Sequence, residues 1–139
     1  MSGFPLAGLL RLRGIQERAA AERLSRAQIA ARQTEARERR TRAALADGGE
    51  QAVDVRTMAA LAASRAASRA QLSELSALAS EQDAALGEAR REHSDAKRQA
   101  RGLEKLEVAH LQRERARELQ AEQAALDEIA TGRWKRGAA

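Results

Sequence analysis

The sequence predicts an all-α protein: an antiparallel two-helix coiled-coil hairpin, with a separate short tip helix as one alternative. Of its 139 residues, 32% are charged, and one Phe and one Trp supply all the aromatic rings. So few large side chains cannot fill a globular core, whereas the abundant Ala, Leu, Arg, Glu and Gln are strong helix formers. Apolar residues recur with a seven-residue period, and one Asp-Gly-Gly turn separates two long proline-free stretches.

The seven-residue repeat is clearest from Leu72 to Leu103. Leu or Ala fills eight of its ten inward positions, and the residues between are mostly charged or polar. The ten are Leu72, Leu75, Ala79, Gln82, Leu86, Ala89, His93, Ala96, Ala100 and Leu103. This spacing is typical of a helix lying against another helix, and the Ala content predicts a close-packed seam of modest hydrophobicity. Gly87 and Gly102 each cost about 1 kcal/mol relative to Ala, too little to end the helix.

The first helix is predicted over residues 6–46. Pro5 precedes it, and proline is tolerated in a first turn because its missing N–H would have no helical partner there. Asp47-Gly48-Gly49 predicts a helix stop and a turn over 47–52, since Gly accepts the positive φ that such stops need.

The second helix is predicted to reach residue 131, with Asp54 or Thr57 as the candidate cap at its start. Residues 53–70 form either a separate tip helix or the first turns of this helix. Beyond Leu103 the large apolar residues shift phase, as at a coiled-coil stutter. They are Leu106, Leu111, Leu119, Leu126 and Ile129. Thr131-Gly132 predicts the helix end, and a basic tail follows over 132–139.

Residues 1–139 are thus predicted to form one elongated hairpin with both termini at the same end. The apolar residues expected to meet at that end are Phe4, Leu6, Leu9, Leu10, Leu126, Ile129 and Trp134. Either they form a contact site for a partner or they only close the hairpin. The tip, residues 48–70, is the second candidate contact region.

The net charge of +5 is unevenly distributed. Residues 71–95 hold six acidic and two basic side chains, residues 96–117 seven basic and three acidic, and the first fifty ten Arg and six acidic. Such mixed patterns are typical of solvated helix faces. The stacking aromatic residues that single-strand binders use are lacking. We therefore expect no nucleic-acid partner, with a basic nucleic-acid surface as a competing hypothesis.

The sequence holds no pattern for catalysis, cofactor binding or metal binding. His93 falls within the seam repeat, and His110 lies among charged residues one helical turn away. A zinc site needs three or four converging ligands, and Gly48-Gly49 lacks the Lys-Ser/Thr of a phosphate loop. We predict a protein that is not an enzyme, has no cofactor or metal, and works by contact.

The chain has no Cys, no apolar stretch near the roughly 20 residues that span a membrane, and no signal-peptide pattern. These observations predict a soluble cytoplasmic protein with no direct membrane insertion.

Two end motifs resemble the flagellar export protein FliJ family. The N-terminal motif is Phe4-x-Leu6-x-x-Leu9-Leu10-x-x-Arg13, followed by Glu17, Leu24 and Ala27. The C-terminal motif is Leu103-Glu104-Lys105-Leu106, then a charged stretch, then Glu122-Gln123-x-x-Leu126-Asp127-Glu128-Ile129-Ala130. The chain length, the single hairpin and the basic tail are also similar, whereas the aromatic residues that many members carry near the tip are missing.

The resemblance implies a coiled-coil component of the type III export apparatus at the flagellar base, on the cytoplasmic face of the inner membrane. Its implied partners are the hexameric export ATPase and its regulator, the cytoplasmic domain of the export gate membrane protein, and export chaperones. The implied ATPase contacts are Leu6, Leu9, Leu10, Arg13, Leu126, Asp127, Glu128 and Ile129. The implied gate contacts are Met58, Leu61, Leu72 and Leu75.

Two alternatives stay open at this point. A generic coiled-coil scaffold or dimerisation protein would have no ATPase partner and would form a dimer instead of an intramolecular hairpin. A stalk of an injectisome would have the same composition as a flagellar one.

Overall fold

The computed structural model describes residues 3–47 and 54–138. Within them the chain forms two long α-helices, α1 (Ala7–Asp47) and α2 (Val55–Gly137), and no strand. The two helices pack against each other, so the predicted all-α helical hairpin is confirmed. The helix α1 matches the predicted 6–46 to within one residue at each end. The predicted turn over 47–52 lies outside the described residues except for Asp47.

The chain divides into two compact units: the terminal unit, Met1–Gln16 with Ala96–Ala139, and the middle unit, Glu17–Asp95. In the terminal unit Phe4 lies against His110 and Arg13 binds Gln99. Since residue numbers rise along α1 while they fall along α2, the helices of this unit are antiparallel. That all of residues 1–139 form one elongated body stays a prediction.

The helices of the middle unit are antiparallel as well. Arg23 Nε lies 3.4 Å from Glu92 Oε2, and a groove further along is lined by residues of both helices, among them Gln28, Glu35, Ala79 and Leu86. The side chains of Arg23 and Glu92 are about half exposed (53% and 48%), so this ion pair contributes little to stability. Apolar packing along the seam therefore holds the unit together.

All ten predicted seam residues of α2 are buried or half-buried, which confirms the repeat from Leu72 to Leu103. The residues buried most fully are small, apart from one leucine and one threonine. They are Ala20, Thr34, Leu75, Ala89 and Ala100. Small side chains let two helices approach closely but bury little apolar area, so the seam is close-packed and only modestly hydrophobic, as predicted.

The start of α2 is capped by Asp54. The Asp54 carboxylate accepts hydrogen bonds from the Thr57 hydroxyl and the Thr57 backbone N–H, both to Oδ1 at 2.7 Å. This is the N-cap geometry that satisfies an otherwise unpaired donor in the first turn. Because α2 runs without a break from Val55, residues 55–70 are its first turns and not a separate tip helix.

Acidification is expected to fray this first turn. The hydrogen bonds from the Thr57 hydroxyl and backbone hold the pKa of Asp54 below its ordinary value. A lowered pKa means that the folded state favours the ionised carboxyl. The stabilisation is therefore complete above the ordinary Asp pKa and is lost as the pH falls through the lowered pKa. Amide-exchange protection of Thr57 and Met58, whose N–H groups bond Asp54, should drop over that range. An Asp54→Ala variant should be poorly protected at neutral pH and insensitive to acid.

The end of α2 lies further along the chain than predicted, at Gly137 instead of residue 131. The Thr131 hydroxyl donates to the Asp127 carbonyl oxygen at 2.8 Å, and one glycine costs a helix only about 1 kcal/mol. Lys135 and Arg136 lie in the last turn, where positive charge favours the helix dipole. Most of the predicted basic tail is therefore helical.

Candidate partner-binding surface

The N-terminal apolar residues pack at the start of α1 against α2 in the terminal unit. The ring of Phe4 lies 5.6 Å from that of His110, with the ring planes tilted by 49°, which is within the range of stabilising aromatic pairs. Leu10 is half-buried, while Leu6 and Leu9 keep 39% and 37% of their surface exposed. The predicted partner contacts at this end are thus partly used by the hairpin itself.

Arg13 ties the two helices of the terminal unit together. Its Nη1 donates to Gln99 Oε1 at 2.6 Å and to Gln16 Oε1 at 3.0 Å. A side chain held from two sides has already lost much of its rotamer freedom. Arg13 therefore helps to fix the register of α1 on α2, in addition to any contact with a partner.

The seam keeps its seven-residue phase beyond Leu103. The next inward positions, Glu107, His110 and Glu114, are half-buried, whereas Leu106 and Leu111 are 51% and 56% exposed. The prediction that the seam follows the shifted apolar residues is therefore wrong. The seam follows the face that α1 covers, and α1 begins near His110.

The two predicted sets of ATPase contacts do not meet. Phe4 lies beside His110, and Leu126 is sixteen residues further along α2, about 24 Å at 1.5 Å per residue. Leu126, Ile129 and Trp134 remain 62%, 56% and 74% exposed. The expectation that these residues pack against Phe4, Leu6, Leu9 and Leu10 is wrong, because α2 extends past the start of α1.

The C-terminal segment, residues 111–137 of α2, is therefore a helix without a partner among the described residues. All its residues are exposed except Glu114 and Gly132, which are half-buried. Polar contacts along the helix support it: Arg117 pairs with Glu114 at 3.2 Å, and Gln123 Nε2 donates to Asp127 Oδ1 at 3.3 Å. Each such pair adds only a few tenths of a kcal/mol.

The large apolar side chains of α2 between residues 108 and 129 share one face, which we call the outer stripe. Its members are more than half exposed, and helical geometry places them within about 80° of each other. They are Val108, Leu111, Leu119, Leu126 and Ile129. Asp127 and Glu128 lie on other faces. Leu106, which the sequence pattern predicted with this set, lies on another face, and Val108 takes its place; a step of three residues back from Leu111 reaches Val108.

The predicted gate contacts differ in their accessibility. Met58 is 61% exposed, Leu61 and Leu72 are half-buried, and Leu75 is buried with 7% exposed. Leu75 belongs to the seam and cannot touch a partner while the helices stay packed. Contact of the gate with Met58, Leu61 and Leu72 stays a prediction.

A basic cluster near the end of α1, formed by Arg37, Arg39, Arg40 and Arg42, has acidic side chains beside it. Arg39 pairs with Glu35 at 3.5 Å and Arg42 with Glu38 at 3.8 Å. Over the described residues, no three His, Asp or Glu side chains are grouped to hold a metal ion, and no helix is long and apolar enough to cross a membrane. What the described residues present is helix surface, and the outer stripe is an exposed apolar face of it.

Comparisons with known proteins add no relative. No protein-family model matches this chain, and no curated protein or solved structure matches it either.

Proposed function

We propose that this chain is a non-enzymatic component of the bacterial flagellar type III protein export apparatus. It acts as a stalk-like partner of the hexameric export ATPase and its regulator, and as an escort for export chaperones. It works on the cytoplasmic face of the inner membrane at the flagellar base, where its α2 start, around Met58, contacts the cytoplasmic domain of the export gate. The resemblance of its two end motifs to the FliJ family carries the proposal.

The exposed C-terminal segment supports an ATPase contact. Leu126, Asp127, Glu128 and Ile129 combine two apolar and two acidic side chains, and all four are solvent-exposed. A stalk that binds inside a ring needs exposed side chains that are not packed against the other helix of its own hairpin. The main contact surface is therefore proposed on α2. Leu6 and Leu9, which stay partly exposed, form a second patch at the N-terminal end.

Reversing the charges at Asp127 and Glu128 tests the ATPase contact. Asp127→Arg with Glu128→Arg is expected to weaken binding to the cognate flagellar export ATPase about tenfold or more, because opposite charges at a fitted interface become like charges. Light scattering of the chain with and without the ATPase measures the complex. The helix content should stay unchanged, since both residues are exposed.

Three outcomes would each contradict a part of the proposal. If the wild-type chain neither co-elutes with the ATPase nor stimulates its activity, the stalk assignment is wrong and a coiled-coil scaffold remains. If the wild-type chain binds and the double variant binds equally well, the contact lies elsewhere. A chain that prefers an injectisome ATPase over the flagellar one would assign it to the related secretion system.

A further inference from the structure

Charged residues lie on the same face of α2 as the outer stripe, both between its apolar members and beyond its two ends. Following α2 in steps of three or four residues, the same face holds four further side chains: Glu104, Arg115, Glu122 and Arg133. All four are exposed, and within the described residues none of them forms an ion pair. The face thus alternates apolar positions with unpaired charges along about 44 Å of helix.

Two copies of this face match each other when they are laid side by side in opposite directions. Laid antiparallel on a second copy, Val108 faces Ile129, and Leu111 faces Leu126. The same alignment places Arg115 opposite Glu122 and Glu104 opposite Arg133. The paired residues are spaced symmetrically about one midpoint of the helix, so all four pairs form in a single register. Leu119 lies beside the two-fold axis at that midpoint. Apolar residues meet apolar ones, and each of these charges meets its opposite.

We propose that the outer stripe is a self-association surface, which a second copy of this chain covers in antiparallel orientation. A two-fold interface uses the same patch on both copies, so each of the four pairs occurs twice. Seven-residue spacing with apolar and charge-matched positions is what a helix needs to pack on another helix. The surface lies wholly within the terminal unit and leaves the seam with α1 intact.

Two shallow grooves on α2 agree with this register. One lies around Val108 and the other around Ile129, and reversal of the helix maps each lining residue of one onto a lining residue of the other. The first is lined by Arg101, Glu104, Lys105, Val108, Ala109 and Gln112. The second is lined by Ala125, Glu128, Ile129, Gly132, Arg133 and Arg136. Each groove of one copy would receive side chains of the other.

Charge disfavours the in-register parallel arrangement. Side by side, two parallel copies would place Arg115 against Arg115 and Glu122 against Glu122, and like charges at facing positions are destabilising. In the antiparallel register like charges meet only at the edges of the face, where Arg101 lies opposite Arg136 and Glu118 lies near its own copy beside the two-fold axis. With five large apolar residues on each copy, the association is weak and depends on concentration.

This proposal is independent of the proposed function, because it concerns the chain without any ATPase. The two surfaces share Leu126 and Ile129, so an ATPase that covers these residues would separate the two copies. Asp127 lies off the stripe, and Asp127→Arg should leave self-association within about threefold of wild type, a difference of little energetic weight.

Charge exchange tests the pairing by sedimentation across a wide range of concentration. Arg115→Glu should raise the dissociation constant of the dimer about tenfold or more, since two like-charge contacts replace two attractive ones. Glu122→Arg should do the same, and the combined variant should restore wild-type association. Arg113→Glu is the matched control: it makes the same charge change two residues away on the opposite face, and association should stay unchanged.

Disulfide trapping tests the orientation, because the natural chain has no cysteine. Leu119→Cys should form a cross-linked dimer on mild oxidation, and so should Val108→Cys combined with Ile129→Cys. Ile129→Cys alone should not, since the two thiols lie about 30 Å apart in the antiparallel register. A wild-type monomer at all concentrations would overturn the proposal. The proposal would also be overturned if the combined Arg115→Glu and Glu122→Arg variant did not restore association. The same holds if Ile129→Cys alone cross-linked as readily as Leu119→Cys.

Discussion

Replacing Ala100 with glutamate is expected to separate the helices of the terminal unit. Ala100 is only 1% exposed at the seam, next to Gln99, which accepts the Arg13 hydrogen bond. A longer side chain has no room there, and an ionised carboxylate would lose its hydration without a partner. We expect the free energy of unfolding to fall by roughly 3 kcal/mol or more. Amide exchange of residues 7–16, together with urea denaturation, measures the loss.

The matched control is Ala116→Glu. Ala116 lies on the same helix but in the exposed C-terminal segment, where a surface substitution changes stability by no more than about 0.5 kcal/mol. If Ala100→Glu left protection of the first α1 turns unchanged, α1 would not be packed on α2 at this position. If both variants destabilised equally, the substitution would act through helix propensity or charge and not through burial.

The seam from Leu72 to Leu103 could be predicted because its period needs only sequence. Ten positions at steps of three and four specify one face of a helix, and a face of Leu and Ala must be covered in water. The cap of α2 was predictable as one of two residues, Asp54 or Thr57, and the structure shows Asp54. Asp-Gly-Gly predicted the end of α1 at residue 46, one residue before the observed Asp47. Local chemistry decides both features.

The partner-binding surface could not be predicted in full because it depends on which face α1 covers and where α1 begins. Periodicity reports apolar faces but not which of two faces a partner occupies. At Leu106 and Leu111 the apolar pattern suggested a stutter, yet Glu107 and His110 continue the seam. Gly132 likewise looked like a helix end, although a single glycine is a weak signal in a helix of 83 residues.

The Arg13–Gln99 hydrogen bond belongs to the same class of unpredictable features. It joins residues far apart in sequence, and a shift of one turn between two helices would offer Arg13 a different acceptor. Composition cannot select among such registers, whereas side-chain fit along the whole seam can. The exposed length of α2 follows from that register, so the C-terminal segment emerges only once the two helices are placed.

Replacing Gln82 with leucine is expected to stabilise the middle unit. Gln82 occupies an inward position of the repeat and lines the groove between the helices with Ala79 and Leu86. Its Oε1 is buried, and no donor among the described residues reaches it. Leaving a buried acceptor unpaired is costly, and an apolar side chain of similar length removes that cost while adding apolar burial. The free energy of unfolding should rise by about 1–2 kcal/mol.

Gln71→Leu is the control for this substitution, because Gln71 is exposed on α2 and should change stability by less than about 0.5 kcal/mol. Urea denaturation of the three chains measures the difference. A Gln82→Leu chain no more stable than wild type would mean that Oε1 is satisfied in solution. A polar residue at one seam position also restricts the register and number of helices. The stabilised chain should therefore populate larger assemblies more readily, and sedimentation would reveal whether Gln82 limits the seam to two helices.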